Sequence, residues 1–151
     1  MSRAPQPPPP EPERLKRLAI LVSRGSANNL FQVATLIRAA TALDAEVGVL
    51  FREEALLKLA PDRINDLDWS PAYAIVRDSL VERLRSADFT DMATFLRDAK
   101  EHGDAVHYWA SSETLEARGT PLSQLTSLLD GERAETRFIE DARNADALLS
   151  F

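Results

Sequence analysis

The chain has 151 residues, a length that suggests one domain around one hydrophobic core. A formal net charge of −6 speaks against a nucleic-acid-binding surface, which needs a basic stripe to follow phosphates. No apolar run approaches the roughly 20 residues of a membrane span, and the absence of cysteine excludes disulfides, thiolate nucleophiles and cysteine metal sites. A cytoplasmic location without membrane attachment is expected; the N-terminus lacks the apolar stretch of a signal peptide.

Residues 1–14, with the run Pro7 to Pro10, favour neither helix nor central strand, because proline has no donor and restrains its predecessor. They read as a disordered, proline-rich tail, a solubilising extension rather than a proline-motif ligand. Residues 15–151 read as a single α/β domain. Leu18–Val22 is a short apolar run of the kind buried on both faces in a parallel sheet. The polar turn Ser23-Arg24-Gly25-Ser26-Ala27-Asn28-Asn29 closes it. Asn29 is then expected to cap a helix in which Leu30, Val33, Ile37 and Ala40 share a face, with Gln32 reaching back to the cap. Val47–Phe51 forms the second strand, so the first three elements make a right-handed βαβ unit.

A short helix over Glu53–Ala60 is stopped by Pro61, and Asp62, Asp66 and Asp68 fall in a solvated loop. Ser70-Pro71 opens a helix over about 72–86 with Val76, Leu80 and Leu84 on one side; a brief strand over Tyr73–Val76 is the alternative. Thr90 caps a helix carrying Met92, Phe95, Leu96 and Ala99, and His102 supports its end. A third strand ends near Ala110, and Ser112 and Glu113 open a short helix ending at Gly119. Thr120-Pro121 is expected to start a helix with Leu122, Leu125, Leu128 and Leu129. A last helix spans about 132–145 before a closing strand at Ala147–Phe151. Alternating strands and helices predict an α/β three-layer sandwich with a mostly parallel sheet of four to five strands.

Open parallel sheets bind ligands outside the carboxyl ends of their strands. Two turns meet that condition, and Ser23, Arg24, Gly25, Ser26, Asn28, Asn29, Ser111 and Ser112 are the candidate ligand-binding residues, suited to a small anion. Neither the dinucleotide fingerprint nor the P-loop is present. His107 lies about 13 Å along the strand from Ser111, at ~3.3 Å per residue, too far to serve as its base. No catalytic residue is assigned, and the serines read as helix caps. The two histidines have no acidic partner at ligand spacing, so neither a metal nor a cofactor is expected. Trp69 and Trp109 read as core or interface residues.

Leu18-Ala-Ile-Leu-Val-Ser-Arg-Gly25, Ala45-Glu-Val-Gly-Val-Leu-Phe51, Val106-His-Tyr-Trp-Ala-Ser111, Leu128-Leu-Asp-Gly131, Thr136-Arg-Phe-Ile-Glu140 and Ala145-Asp-Ala-Leu-Leu-Ser-Phe151 together resemble the DsrE/DsrF/DsrH sulfur-relay family, most of all its DsrE-like branch. Coverage is nearly everything after the tail, and positions 60–90 match least. The resemblance implies a flavodoxin-like sandwich assembled as dimers, trimers or hexamers, with persulfide carried on a cysteine where this chain has Ser111. A serine hydroxyl forms no persulfide. The resemblance therefore implies a non-catalytic subunit of a homo-oligomer or of an assembly with related subunits; a small-ligand-binding protein is the second reading.

Overall fold

The computed structural model describes residues 4–11 and 13–151; Met1–Arg3 and Pro12, part of the expected tail, lie outside the described residues. Residues 4–11 are exposed and enter neither helix nor strand. The chain then forms β1 (Arg17–Val22), α1 (Ala27–Thr41), β2 (Glu46–Phe51), α2 (Glu53–Lys58), a 3-10 turn (Pro71–Val76), α3 (Arg77–Ser86) and α4 (Met92–Glu101). It continues with β3 (Val106–Ser111), α5 (Ser112–Arg118), a second 3-10 turn (Leu122–Gln124), β4 (Gly131–Arg133), α6 (Glu135–Ala142) and β5 (Ala147–Ser150).

Among the described residues the five strands are all parallel, in the order β4-β3-β2-β1-β5. The expected α/β class, with a parallel sheet between helices, is what forms; the order differs from the 2-1-3-4-5 of flavodoxin itself. From β1 to β4 the sheet grows in one direction, so right-handed crossovers put α1, α4 and α5 on one face. The return from β4 to β5 runs the other way and puts α6 on the opposite face.

Strand alternation builds two cores of unequal size. Ile20, Val22, Val47, Val49, Phe51, Tyr108 and Ala110 pack against Leu30, Val33 and Ile37 of α1, Leu56 of α2, Leu96 of α4 and Leu115 of α5. On the other face Ala19 and Leu50 meet Phe138, with Leu21, Trp109, Ala142 and Ala145 around them. One eight-residue helix supplies nearly all the cover there.

Several expected boundaries move. Ser26, not Asn29, precedes the first turn of α1, and Asn29 is buried inside the helix. Its Oδ1 accepts from Gln32 Nε2 (2.8 Å), so the two residues do pair, though not as a capping box. Asp91, not Thr90, caps α4, accepting from Thr94 N (2.7 Å). The helix expected over 72–86 is split, its first six residues winding as a 3-10 turn.

The largest correction lies between Thr120 and Arg133. Instead of a leucine-faced helix there is one 3-10 turn and then an irregular loop with a second turn at Ser127-Leu128. Long-range backbone bonds replace the helical ones: Thr126 N donates to Leu59 O (2.9 Å) and Asp130 N to Tyr108 O (2.7 Å). Leu125 and Leu128 reach the core from this loop. Gly131–Arg133 pairs with Trp109–Ser111 as a fourth strand, so α6 begins later than expected, at Glu135.

Candidate functional site

Adjacent strands whose chains leave toward opposite faces open a crevice between them. Here those strands are β3, which leads into α5, and β4, which leads into α6. Ser111 is the last residue of β3 and sits at that crevice. It is fully buried, and its hydroxyl accepts from Thr114 N (3.2 Å), capping α5 as the sequence suggested. The hydroxyl also lies 3.0 Å from Glu135 Oε1 and 3.3 Å from Glu113 Oε2 and donates to one of them.

Arg52 follows directly on β2 and completes the cluster. Its Nε donates to Glu135 Oε1 (2.8 Å), and another guanidinium nitrogen lies 3.3 Å from Ser23 Oγ after β1. The turns after β1 and β3 are thus joined across the carboxyl edge through Ser23, Arg52, Glu135 and Ser111. The bond to Glu135 holds the Arg52 guanidinium above its ordinary pKa.

Three helix starts converge on this edge, and each is capped by a neighbour. Both carboxylate oxygens of Glu113 accept from Glu135 N (3.2 and 3.0 Å) at the start of α6. That bond is the main reason the Glu113 carboxyl titrates below its usual range. Thr114 Oγ1 accepts from Glu53 N (3.1 Å) at the start of α2. Glu53 is held at φ +47°, a conformation few non-glycine residues adopt. Its carboxylate pairs with Arg118 (3.3 Å). Among the described residues the crevice is lined by the protein's own ion pairs and helix caps.

The turn after β1 has different surroundings. Gly25 is required there, since a Cβ would stand 2.7 Å from Glu54 O. Ser23, Arg24, Gly25 and Ser26 border an open cleft of about 820 Å³ whose far side carries Glu53, Lys58 and Asp68. Lys58 is buried and is held by Asp66 O (2.8 Å) and the Asp68 carboxylate, so two of the three loop aspartates have a structural task. Asn28 Oδ1 accepts from Ser70 N (2.9 Å), and Asn29 Nδ2 donates to Arg24 O (2.8 Å). Ser112 is simply the first residue of α5. Of the eight candidates, six lie in the turn after β1 and the start of α1, while Ser111 and Ser112 stand apart; Ser111 is joined to Ser23 through Glu135 and Arg52.

The histidines have other tasks: His102 Nδ1 is 2.6 Å from Thr41 Oγ1, and His107 stacks on Trp109 at 5.6 Å between centroids. Among the described residues no group of acidic or histidine side chains is arranged to hold a metal, and no helix is long and apolar enough to cross a membrane.

No protein-family model matches the chain, and no curated protein does. Among solved structures it is similar to a protein of unknown function, MTH1491, from Methanobacterium thermoautotrophicum. The two share 14% identity at a TM-score of 0.56, over 90% of this chain and 99% of that one. The likeness is one of fold.

Arg52, Glu113, Glu135 and Thr114 are the residues that sequence reasoning passed over as site residues. One signal was present: Arg52 is the first residue after a buried strand and therefore falls on the same edge as Ser23 and Ser111.

Proposed function

We propose that this chain is a non-catalytic, DsrE-like subunit that associates with a second copy of itself through the face of the sheet on which α6 lies. The observation that carries the reading is the incomplete cover of that face. Parallel sheets are ordinarily buried on both sides, yet here a hollow of about 380 Å³ remains between Trp109, Gly48 and α6. Among the described residues nothing beyond its chain neighbours lies within 4 Å of where a Cβ on Gly48 would be. Leu148 of β5 and Ile139 of α6 are each 48% exposed.

A second copy suits this surface by charge. Its rim alternates in sign: Arg17 with Glu46 (3.0 Å), and Arg133 with Asp141 (2.5 Å). An isologous two-fold contact matches each patch with itself, and a rim of mixed sign can satisfy that condition where a rim of one sign cannot. Ser111 supports the non-catalytic half of the reading, being sealed under Glu113 and Glu135 and unable to carry persulfide. A relation to sulfur-relay proteins rests on the sequence resemblance, and the lack of cysteine suits a cytoplasmic setting.

Light scattering of the purified protein tests the proposal. The expected mass is a multiple of 16.8 kDa, falling to one chain in Trp109→Glu and Leu148→Glu with unchanged circular dichroism. A wild-type monomer at about 100 μM, well above the range of stable dimers, defeats it.

A further inference from the structure

The cavity between α1 and α3 carries a second inference, independent of the sheet face. It measures about 610 Å³, within the range of small-molecule sites. Its walls are Phe31 on one side and Tyr73, Leu80 and Leu84 on the other. Phe31 is fixed by stacking on Phe95 at 4.9 Å. The opposite wall is of a different kind: no residue from Pro71 to Ser86 is buried. The apolar stripe of α3 therefore faces a void instead of a core, forfeiting the dispersion contacts that close packing would supply.

The polar lining is one-sided in charge. Among the described residues Arg24 and Arg83 border the cavity and no carboxylate does, in a chain with 24 acidic residues against 18 basic ones. Neither arginine stands within ion-pair distance of a carboxylate among the described residues. Trp69, which also lines the cavity, holds a buried Nε1 with no acceptor among the described residues. Unpaired guanidinium groups beside an apolar gap match an acceptor-rich, negatively charged head on an apolar body.

We propose that this cavity binds a small amphiphilic anion, its apolar body between Phe31 and the Leu80/Leu84 stripe and its acidic group paired by Arg24 and Arg83. The site shares Arg24, Ser26, Asn28 and Asn29 with the turn expected to bind an anion but lies away from Ser111.

Isothermal titration with 2-naphthoate and with its neutral analogue 2-naphthalenemethanol tests it. One saturable site per chain is expected for the acid, with the alcohol at least tenfold weaker. Arg24→Gln and Arg83→Gln should each weaken the acid about tenfold and leave the alcohol unchanged, and Leu84→Trp should abolish both by filling the space. Trp109→Glu, on the far face, should change neither. Equal affinity for acid and alcohol, arginine variants that bind like wild type, or loss of binding in Trp109→Glu overturns the proposal. Arg24→Gln lies outside α3, so the test survives even where a substitution in α3 unfolds that helix.

Discussion

A hydroxyl that caps a helix from inside a ring of carboxylates is a poor place for chemistry and a good one for stability. Removing it in Ser111→Ala leaves Thr114 N without its acceptor, and we expect a loss of about 0.5–2 kcal/mol in urea unfolding, the usual cost of a missing cap. In Ser111→Cys the thiol would be buried beside Glu113 and Glu135, out of reach of solvent. A chromogenic disulfide reagent should label it only upon unfolding; labelling of the folded protein at the rate of a free thiol would refute the sealed crevice. Glu113 makes stability depend on pH. Its folded pKa is depressed, chiefly by the bond from Glu135 N. Its contribution is present above the unfolded value, ordinarily 4.5, and is lost as pH falls through the lower folded value. Glu113→Gln should narrow the difference between urea midpoints at pH 7 and pH 3. At this scale the turn at Ser111 was legible, because a serine between a strand and a helix caps by default. The ion pair that seals it was not: Arg52 and Glu135 are 83 positions apart, and only the sheet brings them together.

Elements differ in how firmly the fold holds them. α4 buries Met92, Leu96 and Ala99 and is capped by Asp91, whereas α3 buries nothing. Local opening follows burial, so after the exposed, irregular Arg14 trypsin should cut the folded domain first at Arg77, Arg83 or Arg85. Early cleavage inside α4 would contradict that order. The same contrast separates what periodicity could reveal from what it could not. β1 and β2 are apolar runs buried in the sheet, and β3 alternates buried Val106, Tyr108 and Ala110 with the more exposed His107 and Trp109; each was readable as a strand. β4 is Gly131-Glu132-Arg133, three residues without a branched side chain, recruited by pairing with Trp109–Ser111. The leucines before it keep helical spacing, yet Leu125 and Leu128 reach the core from an irregular loop. Spacing reports which residues want burial; here long-range backbone bonds decided the path.

For the molecule as a whole, the direction in which strands are added governs both the cover and the assembly of the sheet. Four strands laid down one way place their connections on a single side, and a single return crossing must serve the other. That return pairs Leu18 with Ala147 and Leu21 with Ser150, and Asp146 accepts from Lys16 N (2.6 Å) and Arg17 N (2.9 Å), across about 130 residues of chain. Contacts of such separation are disfavoured early, because the intervening loop must close first. Leu149→Ala should therefore accelerate unfolding in stopped-flow measurements and leave the refolding rate nearly unchanged, whereas Val49→Ala in β2 should slow refolding. During synthesis the ribosome releases β1 long before its neighbour on that flank exists. Until β5 arrives the nascent chain has a bare hydrogen-bonding edge along β1, a template for any stray extended peptide.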